Sequence, residues 1–179
     1  MKRLKAVPMA SGAVLALTGA LIAASPAVAG EGQGQGPVRK TLALTYTTTQ
    51  AFGFPLTPSL GETFGTSGTV TAQQDPSTVI GSFSNICTIV ALDNSTSTMS
   101  TQCSSTTTLT SGPYGTGEIS TQGEDTGPVD TGPLTFTDIV TGGIGAFNAA
   151  GGSASFTTPS EDSKDVVFRL VLPGNGKRW

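Results

Sequence analysis

Asp138 is the residue best placed to do chemistry. It interrupts the apolar segment Leu134-Thr135-Phe136-Thr137-Asp138-Ile139-Val140, and on strict alternation it shares a strand face with Leu134, Phe136 and Val140. A carboxyl among apolar side chains keeps its proton to higher pH and can serve as a general acid. The same acid can equally be a structural partner that bonds the backbone beyond the strand. Tyr46 lies on the face of Leu42 and Leu44, where its phenol either meets a ligand or fills core. Asp138 and Tyr46 are therefore the candidate catalytic residues. Arg169 could pair with an acid on its own sheet face or remain a surface arginine, and Tyr114 and Glu118 are weaker candidates.

What is missing narrows the chemistry further. The chain has no histidine, which excludes Ser-His-Asp and Cys-His catalysis, His-liganded zinc and an imidazole proton shuttle. Glu161, Asp162 and Asp165 lack the ligand spacing of a calcium loop, so neither a metal nor a cofactor is expected. Gly143-Ile144-Gly145 is followed by Asn148 where a dinucleotide loop needs its third glycine, and no strand-helix unit surrounds it. Asn94-Ser95-Thr96 has the form of a glycosylation acceptor, but the bacterial look of the N-terminus argues against its use.

That N-terminus reads as a signal peptide. Lys2, Arg3 and Lys5 give the basic start, Ala13 to Ala24 the apolar run, and Ala27-Val28-Ala29 the cleavage pattern, so residues 1–29 predict export to a secreted, extracellular location. Without them, nine basic and twelve acidic residues become six and twelve, and a net charge of about −6 disfavours a nucleic-acid partner. No membrane association is expected after cleavage. Residues 30–37, GEGQGQGP, predict a flexible linker, residues 38–173 one folded domain, and residues 174–179 a short tail.

The domain must be built from strands. It is rich in threonine, serine, valine and isoleucine, alternates with period two, and shows no helical periodicity. Eight strands are expected: 40–47, 64–72, 78–92, 98–109, 115–122, 134–140, 153–158 and 165–172, with Asp75-Pro76 marking one turn. Eight antiparallel strands in this length can close into an up-and-down β-barrel filled by side chains or holding one small ligand. With Asn94-Ser95-Thr96 as the loop, opposed residues of the third and fourth strands have numbers summing to 190, which sets Cys87 against Cys103. An exported chain with two cysteines then predicts one disulfide between them.

The glycine-rich stretch VTGGIGAFNAAGGSASF, Val140 to Phe156, resembles the GGTGxFxxARGxA signature of the dirigent and allene oxide cyclase barrel superfamily. Gly142, Gly143, Gly145, Phe147, Ala150, Gly152 and Ala154 match it without a gap. Gly61-Glu62-Thr63-Phe64, the strand ending near Cys87, and Val166-Val167-Phe168-Arg169-Leu170 follow in the order such proteins show. The likeness is greatest to exported bacterial members with a cysteine pair on the central hairpin. It implies an eight-stranded barrel, trimeric in many plant members, with an apolar lumen that orients a hydrophobic substrate and needs no metal. Tyr46, Phe136, Asp138 and Phe168 would then be the ligand-binding residues. Where dirigent proteins carry an acid and an arginine in this signature, the chain has Ala146 and Gly151, and their histidine-acid pair on the first strand has no counterpart in Thr45-Tyr46-Thr47.

Three functions are compatible with these residues. The first is a secreted barrel that binds a small hydrophobic or phenolic molecule and steers its conformation. The second is a true cyclase or isomerase using Asp138 or Tyr46, and the third is a structural or surface protein whose lumen is full.

Overall fold

The computed structural model describes residues 36–129, 135–160 and 162–174. The expected signal peptide, most of the expected linker, the tail from residue 175, Leu134 and Glu161 lie outside the described residues. Eight strands follow one another: β1 (Val38–Phe52), β2 (Thr63–Ala72), β3 (Asp75–Asp93), β4 (Thr98–Leu109), β5 (Gly117–Pro128), β6 (Thr135–Gly145), β7 (Gly151–Ser160) and β8 (Ser163–Leu172). Each pairs antiparallel with the next and β8 returns to β1, so the sheet closes into the up-and-down barrel that the alternation predicts. Closure leaves no edge strand with unpaired backbone groups.

Alternation turns one face of each strand into the barrel. Leu42, Leu44, Val70, Ile119, Val166, Phe168 and Leu170 point inward and are almost wholly buried. They fill the end where β1 begins and β8 finishes, pinned by the pairing of Val38 with Leu172. Phe147 completes that end from the β6–β7 turn and has 0 % exposure. Lys40 bonds the Tyr114 carbonyl and places its ammonium 5.3 Å from the Phe147 ring centre. Gly143 makes room for this plug, because a Cβ there would sit 2.6 Å from the Phe147 carbonyl oxygen.

Several boundaries differ from the sequence expectation. Asp75-Pro76 opens β3, and the turn falls on Gln73-Gln74; proline is tolerated as one of the first residues of a strand, where little ladder bonding is lost. The glycine stretch is largely strand, since Gly142, Gly143 and Gly145 belong to β6 and Gly152 to β7, leaving only Ala146 to Ala150 as the connection. β5 continues through Gly123-Glu124-Asp125-Thr126-Gly127-Pro128, which reads as a loop by composition.

The β3–β4 hairpin turns over four residues, Asn94 to Ser97, and not three. A register shift between Ile89 and Ala91 compensates, so Cys87 still faces Cys103. The disulfide joins them, as the register arithmetic predicts.

Candidate functional site

At the other end of the barrel, where β1 finishes at Phe52 and β6 begins at Thr135, the inner face changes character. β4 contributes inward Thr101, Cys103, Ser105 and Thr107, and β5 contributes Thr121, Gly123 and Asp125. Asp138 of β6 joins them and is 1 % exposed. The same end holds a column of aromatic rings. Phe83 stacks on Tyr46 at 4.5 Å, Tyr46 meets Phe156 edge-on at 6.3 Å, and Phe156 stacks on Phe136 at 4.6 Å. This end of the lumen thus combines four aromatic rings with carboxylates and hydroxyls.

The carboxylate of Asp138 is only partly satisfied. The Thr121 hydroxyl donates to Oδ2 at 3.1 Å, whereas Oδ1 has no hydrogen-bond partner among the described residues. Gly123 creates the space for this group, since a Cβ there would lie 2.1 Å from Oδ1. Burial raises the Asp138 pKa, opposed by the Thr121 bond and by the charge of Lys164. Asp125 is raised to about 6 by burial and by the Asp138 charge, with Lys164 pulling the other way.

Lys164 stands at the rim, half-buried, with its ammonium 5.6 Å from the Phe136 ring centre. Burial lowers its pKa, while Asp125 and Asp138 favour its charged form. Burial raises the Tyr46 phenol well above its ordinary range, more than its bond to Thr107 lowers it, and the Asp138 charge adds to the rise. Tyr46 therefore stays protonated and cannot act as a base near neutral pH.

These shifts give a pH signature with a definite sign. A buried carboxyl whose pKa rises on folding binds its proton more tightly in the folded state, so stability falls as pH climbs from the ordinary 3.8 toward about 6 for Asp125. Asp138 acts in the same direction. Exposed Asp93 acts oppositely, with its pKa lowered to about 2 by bonds from Ser95 and Thr96, but only in more acidic solution. Melting curves are expected to show a higher midpoint at about pH 4.5 than at about pH 7.5, and Asp125→Asn should flatten the difference. A midpoint that rises steadily over this range would contradict the arrangement.

The structure brings Tyr46, Phe136 and Asp138 to one end of the lumen and sets Phe168 apart, in the apolar end across from Leu42. Arg169 points outward and is exposed, its Nη1 within 3.4 Å of the Ser155 hydroxyl. Tyr114 anchors a connection by donating to the Ala43 carbonyl at 3.3 Å. Ala146 is exposed and Gly151 half-buried. Among the described residues no cluster of three metal-ligating side chains occurs. Asp125, Lys164, Thr121 and Gly123 were not singled out by the sequence. Continuing the alternation from Ile119 through Thr121 and Gly123 to Asp125 would have found three of them.

No protein-family model and no curated protein sequence matches the chain. Solved structures do. A pterocarpan synthase dirigent protein shares 14% identity over 82% of this chain and 91% of its own, with a TM-score of 0.58. Pyocyanin demethylase shares 19% over 73% of this chain and 99% of its own, at 0.57. A Diels-Alderase from Streptomyces koyangensis shares 17% over 79% of this chain and 74% of its own, at 0.52. Likeness at such identity is a likeness of architecture, and the chain has the closed eight-stranded β-barrel fold that it shares with these dirigent and Diels-Alderase structures.

Proposed function

We propose that the protein is a secreted barrel that holds a small hydrophobic or phenolic molecule at the Asp138 end of its lumen and steers its conformation. One observation carries this reading: a buried carboxylate oxygen with no partner among the described residues, Asp138 Oδ1, at the end of the lumen that also holds a column of four aromatic rings. Buried polar atoms are nearly always bonded, and a ligand donor would complete this one. The rings would fix the plane of the ligand and the carboxyl its orientation, which favours one reactive geometry without a covalent step. The disulfide and the expected signal peptide support the extracellular assignment. Exposed Ile139, Ile144 and Val171 on the outer face support association of copies, with a trimer as the state to test for.

The raised pKa of Asp138 favours one alternative, an isomerase or cyclase in which it acts as general acid. Incubating the purified protein with oxylipins and phenolics, and measuring both binding and product stereochemistry, separates the two. Binding with no change in products is the expected result, weakened about tenfold or more by Gly123→Ala, which drives a methyl group into the carboxylate's place. Turnover abolished by Asp138→Asn would replace the binding reading with the catalytic one.

A further inference from the structure

We propose that the lumen site takes a small aromatic cation, whose positive charge replaces that of Lys164 between the Asp125 and Asp138 carboxylates and the Phe136–Phe156 stack. The inference rests on the reading that this end of the lumen binds a small molecule, and it names the charge of that molecule.

Both the carboxyls and the aromatic rings of the site favour positive charge. Titratable groups reach the Asp138 end from β1 as Tyr46, from β5 as Asp125, from β6 as Asp138 itself and from β8 as Lys164. β4 supplies hydroxyls and the disulfide, and β7 supplies Ala154 and Phe156. Two carboxyls thus face one ammonium. Asp138 Oδ1 accepts nothing from the described residues, and an ionised carboxylate can only accept, so the missing partner is a donor or a cation. The Phe136 ring turns a face to the Lys164 ammonium, and the electron-rich face of a ring attracts cations and not anions.

Lys164 shows that a cation fits. Its ammonium lies over the Phe136 ring at 5.6 Å, and its charge acts on both carboxyls. It occupies the rim on a flexible stem and can turn to solvent when another cation arrives. The lysine therefore competes with the ligand it stands in for.

The test compares a permanently charged probe, N-methylquinolinium, with neutral 1-methylnaphthalene of the same shape, by fluorescence or calorimetric titration of the folded protein at about pH 7.5. The cation is expected to bind roughly tenfold tighter than the neutral probe. Asp138→Asn should lower cation affinity about tenfold and leave the neutral probe unchanged, and Lys164→Met should raise cation affinity several-fold. A merely structural lysine would not give that gain. Equal affinity for the two probes, or Lys164→Met with unchanged or weaker cation binding, would overturn the inference while leaving lumen binding in place. Failure of both probes to bind the wild-type protein would overturn lumen binding as well. If Asp138→Asn does not fold, the probe preference of the wild type and of Lys164→Met decides.

Discussion

Phe147→Ala is expected to destabilise the barrel by about 3–5 kcal/mol, as truncation of a fully buried phenylalanine does. Phe147 is 0 % exposed although it sits in the five-residue connection between β6 and β7. Its ring closes the apolar end of the lumen among Leu42, Leu44, Leu170 and Ile119, all nearly inaccessible. The neighbouring strands hold their shape independently of the ring, so its removal leaves a void that they cannot collapse to fill. The loss also removes the surface over which the Lys40 ammonium rests. A domain of this size has about 5–15 kcal/mol of stability in total. Urea denaturation should show the midpoint falling with little change in slope. A loss under about 1 kcal/mol would mean that the ring is not a plug. The polar end of the lumen lies beyond the effect, so ligand binding by the fraction that remains folded should persist.

The glycines around Phe147 and the strand alternation were legible because each has a local cause. Period-two hydrophobicity in Leu42-Ala43-Leu44-Thr45-Tyr46 and in Val166-Val167-Phe168-Arg169-Leu170 marks an inner face whatever its neighbours are. The Cys87–Cys103 register was legible for a less direct reason. The turn is one residue longer than expected, and an irregularity between Ile89 and Ala91 absorbs the difference before the cysteines are reached. Such a bulge is invisible in composition.

The polar half of the candidate site was hidden by its residue types. Gly123-Glu124-Asp125-Thr126-Gly127-Pro128 has the composition of a turn, yet long partners on β4 hold it extended, with Gln102 opposite Glu124 and Thr101 opposite Asp125. Tertiary pairing overrode local preference there. The inward threonines of β4 were ambiguous for a related reason. In a half-polar lumen, hydroxyls face inward, so the usual contrast between faces disappears. Lys164 was passed over because a lysine at a strand end is ordinarily a surface group. Only the closed barrel turns it toward Phe136 and the two carboxyls. Asp138 was visible because it breaks an apolar run, and Gly123 was not, because its role is the space it leaves for that acid.

Opening the Cys87–Cys103 bridge is expected to cost about 3 kcal/mol, the second large effect. The cysteines are 16 residues apart, and the bridge chiefly restricts the unfolded chain by holding that loop closed. Because β3 and β4 remain paired from Gly81 and Leu109 to Asp93 and Thr98, the folded barrel should keep its circular dichroism spectrum after reduction. Its thermal midpoint should fall, and a Cys87→Ala, Cys103→Ala double variant should reproduce the fall in the absence of reductant. Both cysteines are buried and face the lumen, Cys103 between the inward Thr101 and Ser105. Reduction would therefore also loosen the hairpin that carries Thr107, the partner of Tyr46, and binding of a lumen ligand should weaken together with stability. An unchanged midpoint in reductant, after mass spectrometry has confirmed two free thiols, would refute the stapling role. If the fall occurs as expected, a reducing compartment would leave the barrel with a much smaller margin, which ties the expected export signal to the needs of the fold itself.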